Sequence, residues 1–135
     1  MLNFWYPWAD WDRHSTSQPE ALKIWFGGGP EIDAALTQMF KADLEAISAG
    51  QNEHWKNDHL GKLAYIIVCD QYSRNIYRKQ GKAFSTDHRS LVMAKAICSS
   101  DEDIRSYKNY ERMFIFMPLM HSENAEDIQM CCDMF

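Results

Sequence analysis

The chain has 135 residues, 46% of them hydrophobic, and a formal charge of -5. That length and apolar content suit one globular domain over residues 1–135, with a core of its own. The acidic balance argues against a broad footprint on nucleic acid, and no apolar run approaches the roughly 18 residues that cross a membrane. The four cysteines form no Cys-x-x-Cys pair, and no apolar segment precedes a small-residue cleavage site. Free thiols in the cytoplasm are the expectation.

Phe4, Trp5, Tyr6, Trp8 and Trp11 crowd the amino end, followed by a polar stretch from Asp12 to Gln18. A binding platform is one use for such rings, but large aromatics near a terminus more often dock into a core. Trp25-Phe26 precedes Gly27-Gly28-Gly29, a flexible breaker with no following Gly-Lys-Ser/Thr, so it is not a phosphate loop.

The first long helix is predicted from Pro30 to Ala49. Ile32, Leu36, Met39, Phe40, Leu44 and Ile47 recur at helical intervals, proline sits in the first turn, and Gly50 follows the end. A second and more buried helix spans Asp58 to Tyr72, weakened by Gly61. Thr86 or Asp87 caps a third that reaches Ser99, after which Ser100 to Asp103 reads as an acidic loop. A fourth helix, Tyr107 to Met117, is halted by Pro118, and a fifth runs from Glu123 to Phe135. No segment reads as a strand. The eight methionines fall mostly on apolar stripes, as core filling.

The densest polar cluster directly follows the apolar run from Leu63 to Val68. Asp70, Arg74 and Arg78 share a face at helical spacing, with Gln71 and Asn75 on the next. Two arginines with amide donors suit a carboxylate or phosphate, so a small anionic ligand or a carboxylate-bearing peptide is the natural partner. The plainer reading is an ion-pair ladder that ties helix ends together. A second cluster is His121 with Glu123, a minimal acid/base couple. His-x-Glu lacks the i, i+4 spacing of a helical zinc site, so no metal and no other cofactor is expected. His14, His54, His59 and His88 read as surface residues. Cys131 and Cys132 point about 100° apart on a helix, so one should be buried and the other exposed.

Leu2-Asn3-Phe4-Trp5, Trp25-Phe26, Asp33, Trp55, the block from Asp70 to Arg78, the run from Ala83 to Asp87, Glu111 to Phe114, and Pro118 to Glu123 together resemble the motifs of the domain of unknown function 924 family. The resemblance covers essentially the whole chain. It implies an all-α, TPR-like array of antiparallel helical hairpins and brings no established activity. Two departures stand out. The family usually has proline where this chain has Ser73, which softens the break after Tyr72. Members also usually continue through further helices carrying a second, similar motif. The chain is therefore expected to be a shortened form, with an uncovered carboxy-terminal face open to a partner or to self-association.

Two functions follow from these residues. One is a binding module for an anionic small molecule or acidic peptide, using Asp70, Gln71, Arg74, Asn75 and Arg78. The other is a hydrolase-like enzyme in which His121 is the base, Asp70 or Glu123 orients it, and Arg74 with Arg78 stabilises negative charge. Contact between His121 and the Asp70 block separates them: convergence favours chemistry, and an isolated His121 favours binding.

Overall fold

A computed structural model describes Trp5, Ile24, Trp25 and residues 29–134 of the chain. Among these residues the fold is all-α and contains no strand. Of the aromatic amino-terminal cluster only Trp5 is described, and it is fully buried in the core. Phe4, Tyr6, Trp8, Trp11, Phe26 and His14 lie outside the described residues.

Helix α1 spans Pro30–Ser48, with Pro30 in its first turn and Glu31 and Asp33 favourably placed near the positive end of the helix dipole. Its carboxyl end closes on Gly50, whose φ of 80° suits only a residue without a Cβ. The Gly50 amide donates to the Ile47 carbonyl at 2.9 Å, and the Gln51 amide donates to that of Ala46 at 2.8 Å. That pair of bonds is a Schellman stop, and it answers two carbonyls the helix would otherwise orphan.

A 3-10 turn, Glu53–Asn57, leads into α2, His59–Ile67. Asp58 caps α2 by accepting the Gly61 amide at 2.7 Å. Gly61 is there because the chain passes too close for anything larger: a Cβ would lie 2.0 Å from the Trp55 carbonyl oxygen. The second predicted helix therefore starts as expected, but its last third is not α-helical. Val68–Tyr72 is wound as a π-helix, and α3, Ser73–Ile76, follows with no break after Tyr72.

A π turn leaves carbonyls without their usual α-helical partner, and here hydroxyls supply one. The Cys69 carbonyl accepts from Ser73 Oγ at 2.7 Å and from Thr86 Oγ1 at 2.8 Å. Ser73 thus satisfies the distorted segment from within the continuing helix.

Helix α4, Asp87–Cys98, and α5, Asp101–Arg105, come next. The acidic stretch from Ser100 to Asp103, which reads as a loop in the sequence, forms the cap and first turn of α5. Ser100 caps it by accepting the Asp103 amide at 3.2 Å, and three acids in its first turn face the positive end of the dipole. Helix α6, Asn109–His121, runs through Pro118 instead of stopping before it. The proline forfeits one backbone bond in the last turn. Burial of both Pro118 and Leu119 offsets that loss. Helix α7 is Ala125–Met134; on it Cys131 is buried and Cys132 exposed.

Helix α2 packs against both α4 and α6, α1 covers the π segment and α3, and α7 lies along α6. Trp5, Trp25, Tyr72 and Phe114 meet in the core as edge-on and tilted rings. Not all methionines fill the interior: Met39 and Met120 are about half exposed.

Candidate functional site

The π segment carries Asp70, whose side chain is only 1% exposed yet borders a groove of about 730 Å³ between the start of α4 and the end of α6. Burying a carboxylate is costly unless hydrogen bonds replace its water. Three side chains do so here. Gln71 Nε2 donates to Oδ2 at 2.7 Å, Arg74 Nη1 lies 3.3 Å from Oδ1, and His121 Nδ1 lies 2.8 Å from the same Oδ1. Arg74 Nη1 also donates to the Asp70 carbonyl.

Arg74 is itself held from the other side. Asp87, in the first turn of α4, accepts from Nη1 at 2.9 Å and from Nη2 at 3.0 Å, a two-pronged pair. Thr86, bonded to the Cys69 carbonyl, fixes the chain immediately before Asp87. The sequence of contacts is Asp87 to Arg74 to Asp70 to His121, and it joins α4, α3, the π segment and α6. Phe84 stacks near this chain, its ring centre 5.3 Å from the Arg74 guanidinium carbon.

The predicted cluster is therefore split. Asp70, Gln71, Arg74 and His121 come together, whereas Asn75 and Arg78 turn to α1. Asn75 Nδ2 donates to Asp33 Oδ1 at 2.9 Å, and Arg78 holds both oxygens of Asp33 at 2.6 and 3.0 Å. Asp70 and Arg74 keep their i, i+4 pairing, whereas Asn75 points about 100° around the helix from Arg74, and Arg78 lies beyond the end of α3 at Ile76, where the chain has left the helical face. Glu123 borders the groove but makes no hydrogen bond to His121. Asp87, His88 and Phe84 also line the groove. The resemblance motif from Ala83 to Asp87 was the signal for two of these residues, while His88, read as an ordinary surface residue, had none.

Two carboxyls outside the groove give the fold an acid-sensitive component. The Arg78 hydrogen bonds, helped by Asn75, hold Asp33 below its ordinary value of 3.8. Lys95, 2.8 Å away, and Ser122 do the same for Asp127. A lowered pKa in the folded state means that each pair stabilises fully above the unfolded value and loses its contribution as the pH falls through the folded one. The urea midpoint should therefore drop as the pH is lowered from about 4, and less steeply in Asp33→Asn and Asp127→Asn. Equal slopes in wild type and variants would contradict the assignment.

The buried thiols of Cys69 and Cys98 are poorly suited to chemistry. Burial pushes Cys69 up to about 12 and Cys98 up to about 11, far from the thiolate a nucleophile needs. Among the described residues no group of three or more His, Cys, Asp or Glu side chains is arranged to hold a metal ion. No described helix is long and apolar enough to cross a membrane.

The fold is similar to that of a solved protein of unknown function from Agrobacterium tumefaciens, with a TM-score of 0.75 and 23% sequence identity. The similarity covers 82% of this chain and 62% of that one, so this chain spans less than two thirds of its neighbour's length. No curated protein matches the chain. Over residues 1–135 it matches the model of the family described as bacterial proteins of unknown function, DUF924, and the chain belongs to that family.

Proposed function

We propose that the groove is an acid–base site in which His121 moves a proton to or from a bound substrate, as in hydrolysis by an activated water. The observation that carries this reading is the 2.8 Å contact between His121 Nδ1 and the buried Asp70 Oδ1. With its Nδ1 proton donated to Asp70, the neutral ring keeps Nε2 as the basic nitrogen. An imidazole oriented by a buried carboxylate is the core of a general-base arrangement. Asp70, not Glu123, is the orienting group.

Two further features support the reading. The His121 side chain is 32% exposed, so the imidazole is open to the groove while its carboxylate partner is shielded. Asp70 also sits on a π-helix, a winding that occurs mostly as short bulges inside α-helices and frequently at functional sites. The anion-binding alternative has less support. Arg74 is taken up by Asp87 and Asp70, and Arg78 by Asp33.

The test is a panel of chromogenic esters, amides and phosphoesters, run on wild type and His121→Ala. Turnover by the wild type and at least a hundredfold loss in the variant, on the order of general-base contributions, is the expected result. The variant should stay folded, since its missing ring is partly exposed. Turnover that survives in His121→Ala, or a panel on which the wild type is inert, would sink the proposal.

A further inference from the structure

The groove has a charge and a shape that select among ligands. Three carboxylates border it, those of Asp70, Asp87 and Glu123, against the single guanidinium of Arg74. Arg74 is already matched by Asp87 through two hydrogen bonds, and Asp70 is enclosed by Gln71, Arg74 and His121. Glu123 differs: it is exposed and makes no ion pair with any described residue. An anion entering here would have to displace Asp87 from Arg74 and sit among like charges. A cation would meet a carboxylate that has no ion pair among the described residues.

Glu123 is also held in place by its backbone. In the turn between α6 and α7, the Asn124 amide donates to Ser122 Oγ at 3.1 Å, and Ser122 Oγ donates to Asp127 Oδ2 at 2.7 Å. Asp127 is tied to Lys95 of α4 at 2.8 Å. The turn bearing Glu123 is thus pinned to the helix that forms the opposite wall, which lowers the ordering cost of binding.

The second feature is an aromatic wall. Phe84 is 59% exposed, with the Arg74 guanidinium carbon 5.3 Å from its ring centre, and Leu91 and Pro118 add apolar surface to the groove. A volume of about 730 Å³ fits a compact small molecule. We infer that the groove takes an amphipathic cation, an ammonium or amidinium on a flat apolar body, with Glu123 matching the charge and Phe84 the ring. The inference deepens the acid–base reading: it names the substrate class for His121 and rests on that reading for calling the ligand a substrate.

The probes are phenethylammonium, benzamidine and, as an anion of similar shape, phenylacetate. Binding is read by thermal shift and by backbone amide chemical shifts. Both cations should stabilise the wild type, and phenylacetate should not. Glu123→Gln and Phe84→Ala should each weaken cation binding at least tenfold. Glu126→Gln, which removes the same charge three residues beyond Glu123 and outside the groove lining, should bind like wild type. Phenylacetate binding as tightly as the cations, equal cation binding by Glu123→Gln, or no binding by any probe would each overturn the inference. His121→Ala separates it from the acid–base reading. His121-dependent turnover without cation binding removes the substrate class alone, and cation binding without His121-dependent turnover removes the acid–base reading alone.

Discussion

Replacing Trp5 by alanine is expected to cost about 3–5 kcal/mol of folding stability, the range for deleting a large buried aromatic. Trp5 is fully buried, and its ring centre lies 5.2 Å from that of Phe114, 5.3 Å from Tyr72 and 6.3 Å from Trp25. Its backbone carbonyl accepts the Trp25 indole N–H at 2.9 Å, so two separate parts of the amino-terminal region are joined in the core. A domain is stable by only about 5–15 kcal/mol in total, so this one substitution should remove a large share. Trp5→Phe keeps most of the apolar volume and should lose much less. Urea unfolding of the three proteins checks the prediction. A Trp5→Ala cost below about 1 kcal/mol would mean that the ring is not part of the core.

The second large effect is expected at Asp70. Asp70→Asn keeps the size of the side chain but places an amide where Gln71, Arg74 and His121 all approach a carboxylate. Arg74 retains Asp87, so the stability loss should stay near the cost of a compromised buried polar group, about 1–3 kcal/mol. The imidazole should suffer more. Without a carboxylate to take the Nδ1 proton, the ring is free to adopt the other tautomer, in which Nε2 is protonated and no longer a base. In the archetypal Asp–His arrangement that exchange costs on the order of 10⁴ in turnover. Two measurements separate the outcomes: ¹⁵N spectra of the His121 ring report the tautomer, and chemical denaturation reports the stability. A variant that melts early with an unchanged tautomer would make Asp70 a structural tie and leave His121 without its orienting group.

The contact sequence from Asp87 through Arg74 to Asp70 and His121 brings together residues up to 51 positions apart in sequence. Local spacing cannot predict such a convergence, because it depends on how α4 and α6 pack on α2. The apolar periods of α1, α2, α4 and α6 were legible because amphipathic helices must bury one stripe wherever they pack. Exceptions arose where a tertiary gain outweighed a local rule. Pro118 should end a helix, but burial of Pro118 and Leu119 carries α6 on to His121. Without that final turn His121 would not reach Asp70. The acidic run at α5 could have been read as a helix start, since Ser100 stands three residues before Asp103 in the manner of a capping pair.

The sequence by itself determined the all-α class, the positions of the main helices, the family, and the fact that unusual polar chemistry gathers just after residue 68. Those features are set by short-range periodicity, by cap residues, and by motifs that read the same in any context. Which of the clustered groups would meet was decided by the tertiary structure alone. Asn75, about 100° around α3 from Arg74, and Arg78, beyond the end of α3, meet Asp33 on α1. The π winding at Val68–Tyr72 carries Asp70, which pairs with Arg74 toward α4 and α6. That winding is tolerated because hydroxyls of Ser73 and Thr86 satisfy the Cys69 carbonyl, and Thr86 is supplied by a segment 17 residues away. A helix whose regular hydrogen bonds are replaced by bonds from distant residues can only be foreseen once those residues have been placed by the fold.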